Sequence, residues 1–217
     1  MTNSNANELI GISLSNGTAT ITGNTLGNPD PALSLRSNSQ DYNRKFIGIR
    51  ILANTHFNVV ESNTITNLIL TNTTGYTECA GIFLTSGDVL KNKITGIGTV
   101  VNASMSPYIR GIYLYGSAGC SNEIFNNLII LSGGISTDAD IFGIYEESFD
   151  NCTYWIYHNS VSITGPANSS SNTAAFYRST DADIFLKNNS LANFRAQQAF
   201  GGTNYVMYLD ITVPWLS

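Results

Sequence analysis

The sequence predicts an all-β chain wound as a right-handed parallel β-helix solenoid of about six to seven coils, with three parallel sheets and an asparagine ladder at one corner. Three observations carry this expectation. A Gly-Ile dipeptide recurs along the chain, a second recurring block is centred on asparagine, and the composition is poor in charge but rich in Asn, Thr, Ser and Gly.

The first block reads Gly11-Ile12, Gly48-Ile49, Gly81-Ile82, Gly111-Ile112 and Gly143-Ile144, with Ala175-Phe176 as a degenerate sixth copy; the steps are 37, 33, 30, 32 and 32 residues. Each opens a short strand whose alternate residues face inward: Ile12 and Leu14, Ile49 and Ile51, Ile82 and Leu84, Ile112 and Leu114. The second block is centred on Asn24, Asn63, Asn92, Asn127, Asn159 and Asn189. Three residues before each stands an aliphatic (Ile21, Val60, Val89, Ile124, Ile156, Leu186), and two residues after it stands another (Leu26, Ile65, Ile94, Ile129, Val161, Leu191). An unbroken pattern at all twelve positions marks a true repeat of three short strands. No copy holds a stretch of helical periodicity, which excludes alternating strands and helices. The L-x-x-L-x-L signature of a leucine-rich repeat is also missing. Stacking strand on equivalent strand leaves a solenoid, and the handedness of parallel crossovers makes it right-handed.

The asparagine is expected to turn a corner between two sheets, because Asn tolerates positive φ better than any residue except Gly. Its amide can bond the asparagines above and below, so the column reads as scaffolding.

The 217 residues suit one domain, 1–217, with repeats over about 10–210. Hydrophobic residues make up 42%, enough for a core, while only 12% are charged. A net charge of -5 without clustered Lys and Arg argues against nucleic acid. No apolar run of about 18 residues exists, so no membrane insertion is expected. Met1 to Glu8 is polar and shows no signal peptide. Triplets of the N-x-S/T kind, such as those at Asn72 and Asn102, arise by chance in so Asn- and Thr-rich a chain.

The stretch GIYLYGSAGCSNEIFNNLIIL, Gly111 to Leu131, resembles the parallel β-helix repeats of the pectate-lyase-like superfamily. The segments Tyr157-His158-Asn159, Ala175-Phe176-Tyr177 and Asn204-Tyr205 are similar to repeats in large secreted surface proteins of bacteria. The resemblance covers residues 10 to about 210 and implies the β-helix fold together with an extracellular or cell-surface location. It does not imply an activity. The N-x-D, Asp-Asp and Gly-His-Gly set of polygalacturonases is missing, as is the R-x-P-x-x-R of pectate lyases.

Segments of variable length separate the third strand of one repeat from the next Gly-Ile: Gly27 to Phe46, Thr71 to Ala80, Gly98 to Arg110, Gly133 to Phe142 and Gly165 to Ala174. They are expected to be loops that leave one corner and line up along one side. Asn204 to Leu209 resembles the start of a further coil, and the chain stops after Pro214-Trp215-Leu216-Ser217. End-to-end association, or continuation of the solenoid in a longer parent chain, is therefore expected.

The candidate binding face is the outward side of the first strand. One column there is Ser13, Arg50, Phe83, Tyr113, Tyr145 and Tyr177; a second holds Thr85, Tyr115, Glu147 and Ser179. Aromatic rings about 4.8 Å apart would stack into a stripe. Phe83, Tyr113, Tyr115, Tyr145, Glu147 and Tyr177 could hold a polysaccharide or cell-surface glycan, or the stripe could be a second small core under the loops. At the inward leucine position stand Glu146 and Arg178, expected as a stacked ion pair. Asp138, Asp140, Glu146, Glu147 and Asp150 gather around the fifth repeat and give the alternative of a polysaccharide-active lyase or hydrolase. No cofactor is expected, Ca²⁺ near Asp138 and Asp140 being the one possibility weighed. The segment STDADIF occurs at Ser136 to Phe142 and Ser179 to Phe185, at different places in the repeat, so its aspartates do not stack into one site. His56 and His158 fall in different columns, which speaks against a shared metal. Cys120 and Cys152 should be neighbours in adjacent repeats; a disulfide is permitted, but parallel Cβ directions favour reduced thiols, and Cys79 has no partner. The leading expectation is a non-catalytic β-helix module of a secreted or surface protein, serving as a rigid spacer or glycan-binding scaffold. A purely architectural solenoid is the third reading.

Overall fold

A computed structural model describes residues 8–30, 34–38, 44–72, 77–101, 107–117, 119–132, 139–149, 151–166, 171–196 and 202–209. Asn102, Asp138 and Asp150 lie outside the described residues, as do Met1 to Asn7 and 210–217.

The first repeat supplies β1 (Glu8–Leu14), β2 (Thr20–Thr22), β3 (Thr25–Leu26) and β4 (Leu35–Asn38). The second supplies β5 (Arg44–Ile51), β6 (Val59–Glu61), β7 (Thr64–Thr66) and β8 (Leu68–Asn72), and the third β9 (Thr77–Leu84), β10 (Asp88–Leu90), β11 (Lys93–Thr95) and β12 (Gly98–Val101). The fourth repeat gives β13 (Tyr108–Leu114), β14 (Ser121–Phe125) and β15 (Leu128–Ser132), and the fifth β16 (Asp140–Glu146), β17 (Thr153–Tyr157) and β18 (Ser160–Thr164). The sixth gives β19 (Thr173–Arg178), β20 (Asp183–Lys187) and β21 (Ser190–Asn193), followed by β22 (Asn204–Leu209). Among the described residues there is no helix, hence none long and apolar enough to cross a membrane.

All ladders are parallel, and the fold is a β-solenoid. The first sheet runs β1-β5-β9-β13-β16-β19-β22, the second β2-β6-β10-β14-β17-β20 and the third β3-β7-β11-β15-β18-β21. A fourth sheet, β4-β8-β12, corrects the expectation of three. β4 and β12 lie in segments read as loops from the sequence, and β8 runs into one at Thr71. The cause is local: Gly27, Asn67 and Gly96 take φ of 88°, 50° and 63° and bend the third strand into a new one. Later repeats place Leu131 and Ile163, paired and fully buried, where Gly96 turns, so β15 and β18 run straight.

The repeat positions form the core. Ile49, Ile82, Ile112 and Ile144 are fully buried in register on the first sheet, as are Val60, Val89 and Ile124 on the second and Ile65, Ile94 and Ile129 on the third. Each such side chain contributes roughly 1.5–3 kcal/mol by leaving water. The first-sheet strands begin before Gly-Ile, which corrects the loop boundaries again. At the glycine the alternation slips by one residue, so that Ile109 and Ile112 both enter the core, as do Ile141 and Ile144. The slip turns Arg110 and Phe142 outward beside the tyrosine column.

The asparagine ladder is continuous over all six members. The backbone N–H and Nδ2 of Asn24 donate to Oδ1 of Asn63, and the same pair of bonds joins Asn63 to Asn92, Asn92 to Asn127, Asn127 to Asn159 and Asn159 to Asn189, at 2.9–3.1 Å. Each Nδ2 from Asn63 onward also donates to a carbonyl of the preceding repeat: Ile21, Val60, Val89, Ile124 and Ile156 in turn. One expectation is corrected. The positive φ belongs to the residue before each ladder asparagine, namely Gly23, Ser62, Lys91, Asn126, His158 and Asn188, with φ between 54° and 68°. The turn at that exposed residue swings the next side chain inward, where its amide can serve the corner.

Candidate functional site: an aromatic groove on the first sheet

The outer face of the first sheet is built by register. Phe83, Tyr113, Tyr145, Tyr177 and Tyr208 are paired neighbours on β9, β13, β16, β19 and β22. Five rings at one strand spacing cover roughly 19 Å along the solenoid. Phe83 meets Tyr113 edge-on at 4.9 Å, and Tyr113 meets Tyr145 the same way at 5.4 Å. Above that the geometry changes: Tyr145 on Tyr177 and Tyr177 on Tyr208 are stacked, 6° and 14° from parallel, at 4.9 and 4.8 Å. Stacked rings use their faces on each other and show their edges outward. Tyr113 and Tyr145 are buried, whereas Phe83, Tyr115 and Tyr177 are half-buried. The stripe thus forms a second apolar cluster with an open outer side.

At its centre sits Arg110, 4% exposed, its guanidinium 4.2 Å from the Tyr113 ring centroid, 4.4 Å from Tyr145 and 4.8 Å from Tyr108. A cation held between aromatic faces gains about 0.5–2 kcal/mol per contact. Its Nη1 also donates to Glu78 Oε1 at 2.7 Å, and Lys45 Nζ lies 3.5 Å from the other oxygen of that carboxylate. Glu147 leaves the end of β16 on the same face and accepts a 2.8 Å hydrogen bond from the Tyr113 hydroxyl. Burial raises the Tyr113 phenol well above its ordinary value against the pull of Arg110, and the Glu147 carboxylate raises it further. The phenol therefore stays a donor. Tyr115 stands 5.8 Å from Tyr113 and 5.6 Å from the exposed Phe149.

Two hollows open between these side chains. One, of about 520 Å³, is bordered by Lys45, Glu78, Phe83, Arg110, Tyr115 and Glu147; the next, of about 260 Å³, by Asp140, Phe142, Asn172, Tyr177, Tyr205 and Tyr208. Tyr108 and Tyr145 belong to both, so the hollows run on as one groove along the solenoid. All six residues singled out as glycan contacts line it. Sequence reasoning missed Arg110, Glu78, Tyr108 and Phe142, because it began the strand at Gly-Ile. The signal was an apolar residue two before the glycine (Phe46, Cys79, Ile109, Ile141), which extends the strand backward.

The described acidic residues of the fifth repeat, Asp140, Glu146 and Glu147, do not form one cluster. Glu146 is fully buried inside the solenoid, and its Oε1 accepts from the Ser148 N–H at 2.8 Å and the Thr180 hydroxyl at 2.7 Å. The expected ion pair with Arg178 is not formed, although the two residues are in register. Each bonds in the turn beyond its strand instead, Arg178 Nε donating to the Thr180 carbonyl at 2.6 Å, while Oε2 of Glu146 is buried without a hydrogen-bond partner among the described residues. Asp140 lies at the opposite end of β16 from Glu147, roughly 20 Å along the strand. Its carboxyl accepts from the Asn172 N–H at 2.6 Å and is raised above its ordinary range by burial. Of the pair weighed for calcium only Asp140 is described, and among the described residues no three His, Cys, Asp or Glu side chains converge.

Cys120 and Cys152 are joined as a disulfide with Cα atoms 4.5 Å apart, correcting the preference for reduced thiols. Both precede their strands, β14 and β17, so the pleat does not hold their Cβ bonds parallel. Cys79 is a buried free thiol, pushed up by that burial to about 12. His56 lies against Phe57, and His158 against Phe125, so the histidines stay apart. Compared with known proteins, the chain matches no family model, no curated protein and no solved structure.

Proposed function

We propose that the chain is a non-catalytic β-helix module of a secreted or cell-surface protein that holds a glycan along the outer face of its first sheet. The observation that carries this reading is the groove, in which the half-buried rings of Phe83 and Tyr115, a caged arginine and three carboxylates lie along the solenoid axis. Sugar rings offer axial C–H groups to aromatic surfaces and hydroxyls to carboxylates, and a polymer suits a surface that repeats along its length. The Cys120–Cys152 disulfide supports a chain that matures in an oxidising compartment. Resemblance of Gly111 to Leu131 to pectate-lyase-like repeats supports the same setting. The terminal strands β1 and β22 each pair on one side only among the described residues, which supports continuation or end-to-end stacking of the solenoid.

Affinity electrophoresis in gels containing single polysaccharides tests the reading. Wild-type protein is expected to be retarded by at least one of them, and a Phe83→Ala, Tyr115→Ala double variant to lose about tenfold in affinity, about 1.4 kcal/mol, while its far-ultraviolet circular dichroism shows the same β fold and its unfolding stays cooperative. No retardation in any gel, or equal retardation of the two proteins, would sink the proposal.

One observation favours a second reading, a hydrolase. Asp140 borders the groove with a raised carboxyl, and Glu78 stands in the same column two strands away, about 10 Å between backbones. That is compatible with the carboxylate separation of roughly 6.5–9.5 Å used for inverting hydrolysis. Release of reducing ends that disappears in Asp140→Asn would establish it; a wild-type protein that releases none would dismiss it.

A further inference from the structure

Resting on the glycan reading, we propose that the groove takes a neutral, hydroxyl-rich polysaccharide and rejects polyuronates. The argument is the charge inventory of this face. Its cations are Lys45, Arg50 and Arg110, and each already has a carboxylate of the same face. Arg50 Nη1 lies 2.5 Å from Glu8, while Lys45 and Arg110 share Glu78. Arg110 is further closed in by three tyrosine rings and is almost without exposure. The carboxylates are not matched in return. Among the described residues neither Asp140 nor Glu147 has a cation within ion-pairing distance.

A uronate entering the groove would meet cations already paired and carboxylates without an ion pair, Asp140 feeling Arg195 and Arg110 only at longer range. It would have to strip Glu78 from Arg110, leaving that buried carboxylate only the longer, partly exposed contact with Lys45, and taking one partner from a buried pair is the costly way to break it. A neutral sugar faces no such conflict. Its hydroxyls donate to Glu147, to Asp140 and to the groove's other acceptors, while its C–H faces lie on Phe83 and Tyr115. The Arg110–Glu78 pair acts as a rigid floor that orients the tyrosines and does not bind ligand charge.

The same electrophoresis, run with a neutral glucan, xylan and mannan against polygalacturonate and alginate, tests this. Expected is retardation by a neutral polymer at least about tenfold stronger than by either polyuronate. That retardation should change little between roughly 0.05 M and 0.5 M salt, since no ion pair with ligand is involved. Glu147→Lys, which places an uncommitted cation at the groove edge, should gain retardation by polygalacturonate and lose that gain in high salt. Wild-type retardation by a polyuronate that equals the neutral polymers, or equals the Glu147→Lys protein, overturns the charge argument but leaves the groove a glycan site. Retardation by none of the five overturns the glycan reading itself.

Discussion

A ladder asparagine and the residue before it divide one corner between them. The asparagine supplies hydrogen bonds: Asn92 Oδ1 accepts from both the N–H and Nδ2 of Asn63, and its own Nδ2 donates to Asn127 Oδ1 and the Val60 carbonyl. The preceding Lys91 supplies the backbone turn, at φ 55°, and its exposed side chain adds only a surface ion pair with Glu61. Opposite outcomes are therefore expected at adjacent positions. Asn92→Ala leaves several buried donors and acceptors unmade and should lower stability by about 3 kcal/mol. Lys91→Gly removes the Cβ penalty of the left-handed region, offset in part by a more flexible unfolded chain, and should raise stability by up to about 1 kcal/mol. Urea unfolding of the two variants checks both signs; a destabilised Lys91→Gly would mean that the ion pair of Lys91 with Glu61 outweighs the turn. This division also explains what could be read at the residue scale. Only asparagine satisfies every partner at the ladder position, so the column stands out in the sequence. At the turn position Gly, Ser, Lys, Asn and His all occur, because nothing there selects a side chain, and the φ assignment went to the wrong residue.

For whole strands, legibility followed burial. The aliphatics flanking each asparagine are inside every sheet and located β6, β7, β10, β11 and their counterparts. The fourth sheet was missed because its signals, Gly27, Asn67 and Gly96, are ordinary turn residues in a chain full of them. The start of the first-sheet strands was missed because the alternation slips at the glycine. That glycine has a steric cause. A Cβ on Gly111 would lie 2.5 Å from both the Gly143 carbonyl oxygen and Cγ2 of Ile129. Backbone of the next repeat fills the space from one side and a core side chain of the third sheet from the other. Gly111→Ala is therefore expected to destabilise by about 1–3 kcal/mol through forced separation of β13 from β16. It should also loosen the groove, since Arg110 and Tyr113 flank the glycine. Thermal unfolding gives the first effect, and near-ultraviolet circular dichroism of the tyrosines reads the second. A variant with wild-type values in both would show that the strands can part at no cost. Ala175 at the matching position of β19 marks where the constraint relaxes, as the strand above it, β22, is more exposed.

Across the whole molecule, burial falls away from the middle in both directions. Residues of β9 and β13 are buried almost without exception, and those of β16 likewise. In β1 exposed and half-buried positions alternate, and β22 has no buried position at all. The same gradient shows in the ladder, whose four inner asparagines are at most 1% exposed while Asn24 and Asn189 are half-buried. Each repeat touches only its neighbours, so a solenoid opens from its ends, and local opening energies should follow this burial profile. The disulfide between the fourth and fifth repeats and the Arg110–Glu78 pair between the third and fourth sit in the well-buried stretch, which ties the deepest part of the groove to the most stable part of the scaffold. Native-state hydrogen exchange is the measurement. Amides of β9, β13 and β16 are expected to exchange slowest, those of β5 and β19 faster, and those of β1 and β22 fastest, under conditions where exchange reports opening free energy. Reduction of the disulfide should speed exchange in β14 and β17 more than in β6. Equal protection across the first sheet would contradict the end-to-middle gradient and make the solenoid a single cooperative unit. The groove would then owe its geometry to global stability, with no special rigidity of the repeats that carry Arg110 and Tyr113.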